Sequence, residues 1–270
     1  LAGAFADCPA GRRAVGGGIL STGSRQVFVA ASGPLDGSGA GGPLDPSGSV
    51  ESTRDGDVAK RWYAGLSNPS SANAGVKVLA LCSAVSDATI RATPLSVGAR
   101  KTGQAVATCP AGRRALGGGV VQEGWPDDRV LVSGPRDGSG TVAGTGDGDA
   151  ARQWYAAVHN LPAHRVGFKV FVLCSADSRA TVEATGFSVA GGRTGHASVK
   201  CPAGKRLLGG GLVQAGPARF LRELSSGPLA ASGGAAGTRD GDVAKSWYAL
   251  VENRNPGRVS FKVLAMCEPS

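Results

Sequence analysis

The block Cys8-Pro-Ala-Gly-Arg-Arg-Ala-Val-Gly-Gly-Gly18 returns as Cys109-Pro-Ala-Gly-Arg-Arg-Ala-Leu-Gly-Gly-Gly119, and again as Cys201-Pro-Ala-Gly-Lys-Arg-Leu-Leu-Gly-Gly-Gly211. Other landmarks follow it in the same order each time. A Ser-Gly-Pro turn comes first, at Ser32–Pro34, Ser133–Pro135 and Ser226–Pro228. An Asp-Gly-Asp follows at Asp55–Asp57, Asp147–Asp149 and Asp240–Asp242, then Trp-Tyr-Ala from Trp62, Trp154 and Trp247. Each copy closes on an apolar run ending at Cys82, Cys174 or Cys267. Self-similarity in register at this length marks a triplicated unit. The copies span residues 1–100, 101–195 and 196–270.

The spacing separates the copies. Cys8 lies 54 residues before Trp62, whereas Cys109 to Trp154 is 45 and Cys201 to Trp247 is 46. Copy one therefore carries an insertion within the Gly/Pro/Ser-rich stretch 37–52, which reads as an exposed loop. Similar connectors, Ala88-Thr-Ile-Arg-Ala-Thr93 and Ala180-Thr-Val-Glu-Ala-Thr185, follow copies one and two. No counterpart follows Cys267, so the connectors are expected to be straps between copies.

Nearly everything reads as strand and turn. Val27–Ala31 and Val130–Ser133 are short β-branched runs bounded by turn residues. Alternation puts Trp154, Ala156 and Val158 on one face of a strand and Tyr155, Ala157 and His159 on the other. The three Trp are thus expected in the core, with Tyr63, Tyr155 and Tyr248 on the opposite face. No amphipathic helix is visible, and the glycine triplets suit a tight bend or a close approach of strands. The predicted class is all-β: either one body with pseudo-threefold symmetry or three small tandem sandwiches. An immunoglobulin sandwich would place its Trp near the first Cys, but Trp154 lies 20 residues before Cys174. The connectors are also short and regular, so the single body is preferred.

The Cys-Pro-x-Gly opening, the glycine cluster and an Asn ahead of each closing Cys (Asn68, Asn160, Asn253) resemble the repeats of vitelline membrane outer layer proteins. The Cys-Pro-Ala-Gly/Gly-Gly-Gly block is also similar to modules of secreted actinobacterial proteins. The first resemblance implies a β-prism, three Greek-key sheets around a pseudo-threefold axis. Because β-prisms are often lectins, it also implies sugar binding.

Six cysteines in equivalent places point to an oxidising compartment. Threefold equivalence leaves two pairings. One joins Cys8–Cys82, Cys109–Cys174 and Cys201–Cys267 within copies. The other joins Cys82–Cys109, Cys174–Cys201 and Cys267–Cys8 across them. The within-copy set closes the longer loops, at about 4 kcal/mol each in the chain-entropy model, and is preferred. Two Cys per copy without a repeated His do not make a zinc site. A chain that starts at Leu1 with no leader reads as a mature exported form.

The net charge of +9 excludes no solvent-exposed role, but its Lys and Arg are scattered among turns without interleaved aromatics, unlike a nucleic-acid interface. An anionic envelope polymer is the better electrostatic partner. No apolar run is long enough to span a bilayer as a helix. No zinc-protease, nucleophile-elbow or phosphate-loop motif occurs. Gly186-Phe-Ser-Val-Ala190 comes near an elbow, but its counterpart Pro94-Leu-Ser-Val-Gly98 occupies the same connector. A unique catalytic site using His159 or His164 with Asp127 or Asp128 is the residual enzymatic alternative.

Two carboxylates two residues apart point the same way on an extended segment and can accept sugar hydroxyls. An adjacent tyrosine can stack on a sugar ring. Asp55, Asp57 and Tyr63, Asp147, Asp149 and Tyr155, and Asp240, Asp242 and Tyr248 are therefore the candidate binding residues. The expected function is non-enzymatic, cofactor-free binding of a glycan or anionic cell-wall polymer by a secreted protein. Up to three equivalent sites would add by avidity. A structural or adhesive envelope protein that docks another protein is the runner-up, and the oligomeric state stays open.

Overall fold

The computed structural model describes residues 2–22, 27–37, 53–69, 73–122, 129–139, 144–214, 220–231 and 233–270. The copy-one insertion from residue 38 onward, together with Asp127 and Asp128, lies outside them. Copy one supplies β1 (Ala2–Asp7), β2 (Arg13–Ser21), β3 (Phe28–Leu35), β4 (Arg61–Ser67), β5 (Val76–Ser83) and the connector strand β6 (Thr89–Val97). Copy two supplies β7 (Thr102–Thr108), β8 (Arg114–Gln122), β9 (Arg129–Arg136), β10 (Gln153–His159), β11 (Val166–Ser175) and the connector β12 (Thr181–Val189). Copy three supplies β13 (Arg193–Lys200), β14 (Lys205–Gln214), β15 (Leu221–Ala230), β16 (Ala244–Asn253) and β17 (Val259–Pro269). Among the described residues there is no helix, and so none long and apolar enough to cross a membrane.

Three antiparallel sheets run β1-β4-β3-β8-β11-β6, β7-β10-β9-β14-β17-β12 and β13-β16-β15-β2-β5. Each sheet takes three strands from one copy and continues into the glycine strand of the next. The joining pairs are equivalent, Ser32 with Val120, Ser133 with Leu212 and Ser226 with Ile19. The last of these returns copy three to copy one. The chain is therefore one interlocked, prism-like body with pseudo-threefold symmetry, and tandem sandwiches are not formed.

The glycine triplets lie inside strands, and each position serves a separate contact. A Cβ on Gly16 would lie 2.1 Å from the Leu208 carbonyl, on Gly117 2.5 Å from that of Val15, and on Gly209 2.4 Å from that of Leu116. The first glycines thus pass the three backbones against each other in a ring around the axis. A Cβ on Gly17, Gly118 or Gly210 would lie 2.5 Å from the indole of Trp62, Trp154 or Trp247. The third glycines, Gly18, Gly119 and Gly211, face the Ser226, Ser32 and Ser133 carbonyls of the adjoining copy. No residue with a side chain fits these approaches.

The tryptophans are buried, as expected, and each indole N–H is satisfied within its own copy. Trp62, Trp154 and Trp247 donate to the Ser-Gly-Pro serines Ser32, Ser133 and Ser226 at 3.0, 2.8 and 3.0 Å. Disulfides join Cys8–Cys82, Cys109–Cys174 and Cys201–Cys267, within copies, closing separations of 74, 65 and 66 residues. Three disulfides in an all-β body fit an extracellular setting.

The connectors are straps, as their sequences imply. β6 lies along β11 of copy two, and β12 along β17 of copy three. Buried Asn160 and Asn253 hold their far ends by donating to the carbonyls of Val97 and Val189 at 2.8 and 2.9 Å.

Candidate functional site

Five of the six Asp-Gly-Asp carboxylates face backbone, and exposed Asp240 makes no hydrogen bond or ion pair among the described residues. Asp57, Asp149 and Asp242 each accept the amide three residues earlier, from Arg54, Gly146 and Arg239, at 2.6, 2.8 and 2.7 Å. This closes the turn whose glycine takes a positive φ, 91° at Gly56, 84° at Gly148 and 86° at Gly241. Asp55 and Asp147 reach out of their turns and accept the strap amides of Ala92 and Ala184, both at 2.7 Å. Asp55 also pairs with Arg91 at 3.2 Å.

The tyrosines do not form three equivalent platforms. Tyr63 is 2% exposed and packed on Phe5 at 5.3 Å between centroids. Its hydroxyl is buried without a hydrogen-bond partner, and burial pushes its pKa up to about 12. Tyr155 is half-buried and donates to Gln104 at 2.8 Å, while Tyr248 leans on the His196 ring at 5.8 Å. Tyr63 has no face to offer a sugar.

The histidines are likewise dispersed. His159 Nδ1 lies 3.1 Å from the Thr102 hydroxyl, and burial with nearby Arg129 holds its pKa down. His164 offers its carbonyl to Asn160. Neither lines the cavity floored by Val15, Leu116 and Leu208.

That cavity sits at one end of the axis and encloses about 280 Å³. Its floor is Val15, Leu116 and Leu208, the residue ahead of each glycine triplet. The axial ring of backbones therefore positions one apolar side chain from every copy. Its wall is mixed: Ser83, Val85 and Ser86 of copy one, Ser175, Asp177, Ser178 and Arg179 of copy two, and Glu268 and Pro269 of copy three follow the closing cysteines, and Arg206 comes from the opening block of copy three.

Part of this wall is locked. Asp87 accepts from the Ser175 hydroxyl and from the Ala176 amide at 2.9 Å, with Arg113 at 3.8 Å. Glu268 accepts from Ser178 Oγ at 2.7 Å, the Arg179 amide at 3.2 Å and Arg206 at 2.7 Å. Burial opposes ionisation of Asp87 and Glu268, but these donors outweigh it and hold both carboxyls below their ordinary pKa. The exposed Asp177 carboxylate and Arg179 guanidinium carry no hydrogen bond or ion pair among the described residues.

Sequence reasoning missed this site because its residues come from three copies and match no motif. One signal was present: the position before each triplet is Val, Leu and Leu, always large and apolar next to residues that cannot pack.

Neither the family models nor the curated proteins compared with the chain give a match. The resemblance to vitelline membrane outer layer repeats thus rests on the shared motifs alone.

Proposed function

We propose that this is a secreted, non-enzymatic, lectin-like protein that takes one sugar-sized group of a glycan or cell-wall polymer into the axial cavity. The carrying observation is the make-up of that cavity: an apolar floor from all three copies beneath a wall that mixes serine hydroxyls with Val85 and Pro269, with the Asp177 carboxylate and Arg179 guanidinium unengaged among the described residues. Pyranose rings present the complementary surface, a small C–H face ringed by hydroxyls. A cavity near 300 Å³ is the lower limit for small-ligand sites and suits a single ring better than an extended chain. An acidic sugar would gain a charge-assisted contact from Arg179. This reading replaces three weak sites by one.

The test is a titration of neutral and acidic saccharides into the parent protein and an Asp177→Ala/Arg179→Ala variant. Both side chains are exposed and carry no fold contacts, so unfolding should be unchanged. The parent should bind at least one class saturably and the variant roughly tenfold more weakly. Equal affinity in both proteins, or no binding across the panel, would overturn the assignment.

A further inference from the structure

The second end of the pseudo-threefold axis carries charge that the described residues do not balance. β3, β9 and β15 meet one another around the axis. Phe28, Arg129 and Arg222 stand four residues before Ser32, Ser133 and Ser226, so they hold one equivalent position in the three copies. The carbonyls of those serines face the third glycines. The three side chains lie beyond them, away from the cavity floored by Val15, Leu116 and Leu208.

Two guanidiniums converge there on one ring. Arg129 and Arg222 lie over Phe28, at 5.0 and 5.1 Å from its centroid. A ring face attracts a cation, and copy one supplies the ring where the other two copies supply cations. Arg222 also meets one oxygen of Glu252 at 3.4 Å, and Arg254 meets the other at 3.2 Å. The Arg254 amide donates to the Phe220 carbonyl at 2.9 Å. This bond ties the start of β15 to the end of β16 and so fixes Arg222 beside Glu252.

Glu252 is the one carboxylate that these arginines meet among the described residues. Arg129 makes no ion pair or hydrogen bond among them, and its Nε is buried without a partner, as is that of Arg222. Glu223, next to Arg222, does not help. It is buried on the other face of β15, one of its oxygens has no partner, and no arginine holds its carboxyl down. Burial and repulsion from neighbouring arginines instead lower the pKa of Arg129 and Arg222. Three cations around one carboxylate leave two positive charges, and burial of unpaired charge is costly.

We propose that this end of the axis is an oxyanion site, and that its ligand is a terminal phosphate. A phosphate dianion matches the excess of two charges, whereas a carboxylate or a phosphodiester would leave one over. The planar guanidinium of Arg129 offers its outer nitrogens to two phosphate oxygens as paired donors. Arg254, half of whose side chain is exposed, closes on the anion from the rim. Arg222 keeps Glu252 and adds charge from beneath. His159 stands opposite Arg129 across β9 and β10, and burial together with Arg129 holds its pKa down. A bound anion offsets the Arg129 charge, so the His159 ring reports occupancy.

The probe is inorganic phosphate, titrated into the whole chain by calorimetry at constant ionic strength, with chloride as the control. One phosphate should bind per chain, and the His159 ring resonances should shift with the same midpoint. Arg129→Gln should weaken binding about tenfold or more. Arg129→Lys should keep part of the affinity, since it keeps the charge and loses the fork. Arg254→Gln, at the exposed rim, should weaken binding several-fold, so the test does not hang on one substitution. Glucose 6-phosphate separates two sources of the group. Tighter binding of the ester assigns the site to a sugar phosphate, and equal or weaker binding assigns it to free phosphate. Binding indifferent to Arg129 and Arg254 would overturn the proposal. So would the absence of saturable binding, which would leave Arg129 to a carboxylate of segment 123–128, outside the described residues. Asp177→Ala/Arg179→Ala lies at the opposite end of the axis and should leave phosphate binding unchanged, so this proposal and the cavity assignment stand or fall separately.

Discussion

The glycine seam and the Asp-Gly-Asp turns repeat with equal fidelity in the sequence, but they differ in the folded chain. At the axis, Gly16, Gly117 and Gly209 each press on the backbone of another copy, so a change in one is felt by all three. The turn carboxylates work within a copy: Asp55 and Asp147 grip the strap of their own copy, while contact with the next copy runs through Lys169 and Lys262 to the Thr53 and Thr145 carbonyls beside the turns. Among the described residues Asp55 and Asp147 each hold a strap amide, and Asp240 holds none. Mutual contacts enforce symmetry in a ring of repeats, and private contacts permit its loss. The cavity wall departs from that rule: it is asymmetric, yet Asp87 meets Ser175 and Glu268 meets Ser178 across copies.

This contrast can be broken at several strengths. The largest effect is expected at the seam. Gly117→Ala would place its Cβ 2.5 Å from the Val15 carbonyl and 3.0 Å from the Gly16 Cα of copy one, neither of which can yield. A loss of about 3 kcal/mol or more is expected in denaturant unfolding; a loss under about 1 kcal/mol would show that the seam is not close-packed.

Next is Glu223, which stands where copies one and two have Val29 and Val130. Full burial raises its pKa from 4.5 to about 8. The folded state therefore holds the proton more tightly than the unfolded chain. Its stabilising contribution is complete below pH 4.5 and is lost as the pH climbs to about 8. The melting temperature of the parent should fall by roughly 5 °C across that window, and that of Glu223→Gln should not. A parallel decline in both would place the titration elsewhere.

Ser133→Ala leaves the buried Trp154 N–H without its acceptor and should cost about 2 kcal/mol. If it were neutral, the indole would have to find another partner. The smallest effect separates the turns. Asp147→Ala should cost about 1 kcal/mol by releasing the β12 strap, while Asp240→Ala should cost nothing measurable. Equal losses would mean that the third turn is not idle.

Much of the architecture was legible in the chain because triplication multiplies every local signal. The eleven-residue block, the equivalent cysteines and the paired connectors imply three sheets, within-copy disulfides and straps. The buried Trp face followed from alternation over only a few residues. The roles of the aspartates and tyrosines were not legible, because what Asp55 and Asp147 accept is a strap amide 37 residues further on. Tyr63 is covered by Phe5, whereas Ser198 stands opposite Tyr248. The cavity escaped for the same reason, since the axis gathers Val15, Leu116 and Leu208 from positions about 100 residues apart.

The most direct measurement is the stoichiometry of saccharide binding by calorimetry. One ligand per chain, bound roughly tenfold more weakly by Asp177→Ala/Arg179→Ala, is the expected result. Three per chain, lost instead with Tyr63, Tyr155 and Tyr248, would contradict it and return function to the repeated turns.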